Sequence, residues 1–263
     1  MLSDGSLDWF KRAVLESLRS EPRIAVVAAV VDSQTPQQLP TRLRRELSRG
    51  RGGYVAVMSA SAAWRRLHDP PEPASEWFSR RGIPVLPASD LYCGPTLEFI
   101  SHQQPDVLFR NGFGIIREPV LSLAPRGVLS YHHGDIRRYR GTPYGFWELV
   151  NAESSIGITV QILSAELDAG RIVLEQSLPI RPTDSWRGLR RRALRASVDM
   201  ARDACVRLMD PGFQPHDVRP EELGPVYTLP NLRTWLGLQG ALTRRRLTAM
   251  LSRVVAPARP HER

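Results

Sequence analysis

Apolar runs typical of buried strands recur along the first half of this sequence, and they constrain its fold more than any other feature. The run RIAVVAAVVDS at 23–33 is continuously apolar and rich in valine, as in a strand covered on both faces. Shorter runs follow at 83–88, 106–113 and 127–133, separated by segments with helical spacing or turn residues. The alternation predicts an α/β fold built on an open, mostly parallel sheet.

The remaining segments predict the flanking elements. Apolar spacing over 6–20 indicates a helix capped by Ser6 or Asp8, and 54–60 is a weaker strand. Further along, we predict a helix at 142–154, strands at 157–164 and 171–180, and one long helix at 185–209. We place one domain at 1–205. A Pro-rich and then helical extension occupies 206–263, with a basic amphipathic helix at 242–255.

Composition excludes some classes of protein and leaves others open. Of the 263 residues, 42% are apolar, which is ordinary for a globular chain with a sizeable core. The net charge of +9 comes almost wholly from arginine, since Lys11 is the single lysine. This bias is weak support for nucleic-acid binding, because it also follows from genomic base composition.

The sequence lacks the residue patterns of a metal site, of a disulfide-rich protein and of a membrane protein. Cys93 and Cys205 are far apart and lack the spacing of zinc ligands, so we expect no metal site. No apolar run is long enough to cross a bilayer, and the first residues lack a signal-peptide pattern. We expect a cytoplasmic protein without a membrane partner.

The stretch LSYHHGDIRRYRG at 129–141 is the main candidate for chemistry. A strand runs directly into it, and RNGFG at 110–114 follows the preceding strand in the same way. Ligands of open α/β sheets bind beyond the carboxyl ends of the strands, where both stretches are expected. Taken alone, a histidine here is more often a structural or surface residue than a catalytic one.

The ordered motifs from this stretch onward resemble the folate-dependent formyltransferase family. They are Tyr-Arg-Gly at 139–141, Gly-Ile-Thr-Val at 157–160 and Leu-Asp-Ala-Gly at 167–170. The family includes glycinamide ribonucleotide, methionyl-tRNA and sugar N-formyltransferases. The resemblance covers about residues 2–180 and implies the Rossmann-like formyltransferase fold.

The resemblance also implies the catalytic residues. The family's histidine falls on His132 and its aspartate on Asp168, a pair suited to proton exchange near neutral pH. The family's catalytic asparagine falls on Ser130, so a hydroxyl stands where an amide donor is expected. Losing one donor to an oxyanion typically costs about 10²–10³ in rate. Asn111 or His133 is our candidate for a substitute donor.

The formyl donor implied by the resemblance is 10-formyltetrahydrofolate. Its binding is expected to rest on backbone groups and apolar side chains of two segments: Gly112, Phe113, Gly114, Ile115 and Ile116, with Leu163, Glu166 and Leu167. Asp135 and Arg140 are candidates for substrate contact or support. We interpret Arg137, Arg138 and Arg140 as half solvated surface and half anion site, which would suit an anionic acceptor.

Four functions stay open at this stage. The first is formyl transfer to the amine of a small acceptor, and the second is hydrolysis of the same donor to formate. The third is methionyl-tRNA formylation, ranked lower because the extension is too short for the β-rich C-terminal domain of such enzymes. The fourth is a catalytically impaired binding protein of the same fold. The oligomeric state is left open as well.

Overall fold

The computed structural model describes residues 1–33, 48, 59–60, 67 and 69–255. The strand predicted at 54–60 lies outside these residues, except for 59 and 60, which are helical. The last eight residues of the predicted extension, 256–263, also lie outside.

An open sheet of seven strands forms the centre of the described structure, in the order β10-β9-β7-β6-β1-β3-β5. The five strands from β7 to β5 pair in parallel, and β9 and β10 are antiparallel to their neighbours. The mostly parallel α/β fold is therefore confirmed. The strands are β1 (Leu2–Ser3), β3 (Ala29–Asp32), β5 (Val85–Ala88), β6 (Leu108–Asn111), β7 (Val128–His132), β9 (Ser155–Ile162) and β10 (Arg171–Pro179).

Two small sheets and the helices complete the described chain. β2 (Ser6–Leu7) pairs with β4 (Glu72–Pro73), and β8 (Arg140–Gly141) pairs with β11 (Val226–Tyr227). The α-helices are α1 (Trp9–Ser20), α2 (Ala74–Ser79), α3 (Gly94–His102), α4 (Phe146–Val150), α5 (Trp186–Ala196), α6 (Met200–Leu208) and α7 (Leu232–Val255). None of these helices is long and apolar enough to cross a membrane.

The two faces of the sheet pack against different clusters because successive residues of a strand point to opposite sides. Leu129 of β7 packs with Phe10 of α1 and with α6, whereas Val128 packs with Leu2 and with Ile100 of α3. Asp8 caps α1 by accepting a hydrogen bond from the Lys11 amide at 3.0 Å, as one of the two predicted caps. The site residues Ser130 and His132 share the face of Val128.

Two predicted elements are shorter in the structure. The apolar run at 23–33 forms a strand only at Ala29–Asp32, since β5 begins at Val85, opposite Ala29, and β1 has only two residues. A strand needs neighbours for its backbone groups, whatever its side chains favour. The helix predicted at 142–154 begins only at Phe146, after Gly145 with φ of 72°.

The prediction of one long helix at 185–209 is wrong, because the structure has two helices there. α5 ends at Ala196 and α6 begins at Met200. The Tyr131 hydroxyl reaches this break from β7. It donates to the Ser197 carbonyl at 2.5 Å and accepts from the Ala201 amide at 2.9 Å. These bonds satisfy groups that a continuous helix would pair within itself.

The C-terminal extension packs on the same core as the preceding residues. Trp235 of α7 is 6% exposed and stacks on Phe146, with ring centroids 5.6 Å apart, and it meets Trp186 edge to face. Leu238 and Leu242 continue this contact along α7. The described part of α7 thus packs onto the α/β core, and the predicted boundary at 205 lies inside α6.

Candidate active site

His132 and Asp168 meet at the carboxyl edge of the sheet. β7 ends at His132, and the turn between β9 and β10 brings Asp168 back beside it. Nδ1 of His132 lies 3.4 Å from Oδ1 of Asp168, and Nε2 lies 2.8 Å from the Tyr139 carbonyl oxygen. Oδ2 of Asp168 accepts a hydrogen bond from the Gly141 amide at 2.8 Å. The two predicted catalytic residues therefore lie in contact, and each is held by a hydrogen bond to the main chain, His132 to Tyr139 and Asp168 to Gly141.

Each member of this pair favours the charged form of the other. Burial disfavours the imidazolium of His132, but the Asp168 carboxylate outweighs it, and the pKa of His132 lies above its ordinary value. Burial likewise opposes ionisation of Asp168, while the hydrogen bond from His132 holds the pKa of this carboxyl below its ordinary value. A positive imidazolium beside a carboxylate is the arrangement these shifts favour.

Ser130, the third predicted catalytic residue, is 1% exposed and makes its closest side-chain contacts with neighbours other than His132. Its Oγ accepts a hydrogen bond from Nη1 of Arg110 at 3.3 Å and donates to the Tyr131 carbonyl at 3.4 Å. Arg110 is directly opposite Ser130 on β6. A side chain that the sequence reasoning had missed therefore covers the position of the family's asparagine.

Gln161 is a second residue that sequence reasoning missed. It lies opposite Ser130 on β9 and is 1% exposed, and its Oε1 accepts a hydrogen bond from the Gly170 amide at 3.0 Å. A Cβ at Gly170 would lie 2.1 Å from the Ile162 carbonyl oxygen, so this turn requires glycine. Gln161 and Gly170 together hold the turn that carries Asp168.

The predicted folate segment 112–116 folds back toward the sheet immediately after β6. Gly112 has φ of 154°, and a Cβ there would lie 2.2 Å from the Asp4 backbone nitrogen, so only glycine fits. The next amide, that of Phe113, donates to the Asp4 carboxylate at 2.9 Å. Phe113 packs partly into the core, Ile116 is buried, and Ile115 is 59% exposed.

The second predicted folate segment is the turn after β9. Leu163 is partly buried against the same core cluster as Phe113, whereas Leu167 is 43% exposed. Arg140 braces this turn, donating to Glu166 Oε1 at 2.9 Å and to the Leu167 carbonyl at 3.2 Å. Each predicted folate segment therefore exposes one apolar side chain, Ile115 on the first and Leu167 on the second.

The structure does not bring Asn111 or His133 to the position of a substitute donor. His133 stacks between Tyr131 and Tyr144, at 5.4 and 4.8 Å between ring centroids, and it bonds Oγ of Ser197. Asn111 follows Arg110 in β6, so its side chain leaves the opposite face of the sheet. Its amide nitrogen is buried without an acceptor among the described residues.

The arginines after His132 already have carboxylate partners. Arg137 pairs with Glu175 at 2.8 Å, Arg138 with Glu153 at 2.5 Å and Arg140 with Glu166 at 2.9 Å. Asp135 accepts a hydrogen bond from the Arg137 amide at 3.0 Å and shapes the turn. The interpretation of these arginines as an anion site therefore gains no support from the structure.

Glu148 is a further buried ionisable group near the pair. It is 2% exposed, its Oε1 has no partner among the described residues, and burial raises its pKa to about 7. No group of three or more His, Cys, Asp or Glu suited to a metal ion occurs within the part of the chain that the structure describes.

Comparison with known proteins decides the family. Residues 10–204 match the sequence profile of the formyl transferase family, which is well over half of the chain. The chain belongs to the formyl transferase family. A methionyl-tRNA formyltransferase of Trichlorobacter lovleyi is 32% identical over 123 residues, which are 46% of this chain and 39% of that protein. Another, from Thermotoga neapolitana, is 31% identical over 131 residues, 49% of this chain and 42% of that protein.

Solved formyl transferase structures share the fold. An N-formyltransferase from Helicobacter canadensis, in complex with folinic acid and dTDP-3-aminofucose, aligns with a TM-score of 0.56 at 13% identity. The alignment covers 88% of this chain and 72% of that one. Glycinamide ribonucleotide transformylase 1 from Symbiobacterium toebii aligns with a TM-score of 0.54 at 19% identity, covering 85% and 93%. At such identities these structures confirm the Rossmann-like fold alone, and the chain spans less than half of the two curated relatives above.

Proposed function

We propose that this chain transfers a formyl group from 10-formyltetrahydrofolate to the amine of a small acceptor. The observation that carries the proposal is the buried His132–Asp168 unit at the carboxyl edge of the sheet, inside the segment that matches the family. The relatives named for methionyl-tRNA formylation and the structures with folinic acid or aminosugar ligands add support for this class of reaction.

The residues of two segments fit the folate donor. Phe113 and Leu163 supply partly buried apolar surface, and Ile115 and Leu167 supply exposed apolar surface on either segment. The main chain of 112–116 and 163–167 supplies polar groups for the edges of a ring. The bound donor provides the activated formyl group.

His132 is placed to handle both charge and protons. Its imidazolium donates from Nδ1 to Asp168 and from Nε2 to the Tyr139 carbonyl. A negatively charged oxygen is a stronger acceptor than a neutral carbonyl, so Nε2 would exchange Tyr139 for an oxyanion. His132 then stabilises the charge on the formyl oxygen and exchanges the proton that passes from the amine to the leaving nitrogen. Asp168 orients the ring and keeps it protonated.

The test is turnover of 10-formyltetrahydrofolate by the purified chain with three amines: a nucleotide-linked aminosugar, glycinamide ribonucleotide and methionyl-tRNA. We expect tetrahydrofolate to form with a small amine, and the rate to fall at least 100-fold in His132→Asn. His102→Asn is the matched control, since His102 is exposed on α3.

Each other result selects another function. Tetrahydrofolate and formate released at the same rate with or without any amine would make the chain a hydrolase. Transfer only to methionyl-tRNA would favour the tRNA enzyme. Folate binding without turnover under any condition would make it a binding protein, and no folate binding would overturn the proposal.

A further inference from the structure

The amide that is missing at position 130 leaves the formyl site short of one donor. Ser130 does not replace it, since its Oγ is covered by Arg110 and its hydroxyl is directed toward the Tyr131 carbonyl. Asn111 and His133 do not replace it either, because their side chains lie on the other side of their strands. Two polar side chains lie opposite Ser130 in the sheet, Gln161 on β9 and Arg110 on β6. The buried amide nitrogen of Gln161 has no acceptor among the described residues, but of the two side chains Arg110 is the one that bonds Ser130.

Arg110 is held rigidly over this position. Its Nε donates to the Gly114 carbonyl and its Nη2 to the Phe113 carbonyl, both at 3.0 Å, while Nη1 reaches Ser130 at 3.3 Å. The guanidinium has five N–H donors, and these contacts use three of them. No acceptor among the described residues takes the other two. A fixed plane with two available donors is a prepared site for an oxygen acceptor.

The charge of Arg110 is not neutralised by direct contact. No carboxylate of the described residues lies within 4.0 Å of its guanidinium, although Asp4 and Asp168 act on it from farther away. Burial lowers the pKa of Arg110, and these two acids oppose that shift. A largely buried cation without a contacting counter-ion favours a negative charge placed against it.

We propose that Arg110 donates to the developing oxyanion of the formyl group in place of the family's asparagine, and that Ser130 positions Arg110. The chain thus combines a short residue on β7 with a long cation from β6, opposite it in register. Arg110 is a catalytic residue in this scheme and Ser130 a positioning residue. The inference rests on the proposed function. It is tested by two experiments, a kinetic one that depends on that function and a binding one that does not.

The binding arm uses formate, the smallest one-carbon anion, and follows the ring resonances of His132 by NMR. We expect formate to shift these resonances in the wild type, with affinity at least 10-fold weaker in Arg110→Met. Arg126→Met is the matched control, because Arg126 is exposed at the opposite edge of the sheet. Equal formate binding in wild type and Arg110→Met, or binding in neither, would overturn the proposal even if no acceptor amine were known.

The kinetic arm separates catalysis from support of the 112–116 loop. Arg110→Met should lower kcat by about 10²–10³, the usual effect of one oxyanion donor, with the KM of the donor within threefold. Arg110→Lys, which keeps a charge, should recover part of kcat, and so should Ser130→Asn in the Arg110→Met background. A purely structural Arg110 would instead raise KM, lower the Tm and gain nothing from Ser130→Asn. If Arg110→Met does not fold, Arg110→Lys and Ser130→Ala carry the same comparison, with kcat losses of about 3- to 30-fold expected from weaker positioning.

Discussion

His132 and His133 are adjacent in the chain, yet the fold gives them opposite chemistry. His132 lies on the face of β7 that meets Asp168, and its pKa is raised. His133 lies among Phe10, Tyr131 and Tyr144, where burial first and the neighbouring His132 second lower its pKa to about 3. One step along the chain therefore separates a catalytic candidate whose pKa is raised from a packing residue whose pKa is lowered.

The comparison shows what determines the behaviour of a histidine in this fold. Both rings are largely buried, so burial alone disfavours the imidazolium in each. A carboxylate is in contact with one ring only, and Asp168 is the largest of the groups that oppose burial there, ahead of the Tyr139 carbonyl and Glu148. The following substitutions test that account, beginning with the largest expected effect.

The catalytic difference between the two rings should be large. We expect His132→Asn to lower the rate of formyl transfer by about 10²–10⁴, because the general acid–base group is lost. His133→Phe keeps an aromatic ring in the stack and should leave the rate within threefold. Steady-state kinetics on both variants measures the contrast. Comparable losses in the two variants would contradict the assignment of opposite roles.

Removing the carboxylate should make His132 resemble His133. In Asp168→Asn the carboxylate is lost and burial is opposed only by the Tyr139 carbonyl and Glu148, so the pKa of His132 should fall. NMR titration of the ring protons measures this shift, and the rate should fall about 100-fold at neutral pH. An unchanged His132 pKa in this variant would show that some other group holds the proton.

The two rings should also contribute to stability in opposite directions with pH. The raised pKa of His132 adds stability below about pH 6.5, which is lost as the pH rises through its folded value. The lowered pKa of His133 costs stability as the pH falls below about 6.5, by about 2 kcal/mol at pH 5. His133→Phe should therefore lose about 2 kcal/mol less than wild type between pH 7.5 and 5.

Urea unfolding of wild type and His133→Phe at both pH values checks this expectation. His102→Phe is the matched control, since it makes the same replacement at an exposed histidine on α3. A pH dependence identical in wild type and His133→Phe would mean that His133 is not held neutral by the fold.

The smallest effect is expected at the residue between the two histidines. Tyr131→Phe removes the hydroxyl that bridges the Ser197 carbonyl and the Ala201 amide at the break between α5 and α6. Two unpaired backbone groups should lower the free energy of unfolding by about 1–2 kcal/mol. Thermal unfolding measures the loss. Formyl transfer should persist, since Tyr131 faces away from Asp168.

Local patterns in the sequence were sufficient for the mostly parallel α/β fold and for most of the longer strands and helices. They failed where pairing between distant segments decides the outcome. The strand at 23–33 is limited by the lengths of β1 and β5, and the helix at 185–209 is interrupted by a hydroxyl from β7. Neither the lengths of the neighbouring strands nor the position of that hydroxyl can be read from the types of the side chains.

In the candidate site, too, some residues were predicted from local motifs and others were found only in the structure. His132 and Asp168 follow from ordered motifs and stay a prediction as catalytic residues, although the fold places them in contact. The sequence hints at Arg110 only as a charged residue directly after the strand-like run DVLF. Its partner Ser130 is 20 residues away in the chain, so the contact between them is not visible in the sequence. Sequence spacing cannot show that two strands pair in that register.

The sequence by itself determined the family, the mostly parallel α/β fold and the motifs that carry His132 and Asp168. The tertiary structure alone decided which of two adjacent histidines has a raised pKa, and which side chain covers the position of the missing asparagine. The physical reason is that a pKa and a hydrogen-bond partner depend on groups brought together across strands. Those groups are set by sheet register, which the local pattern of apolar residues does not contain.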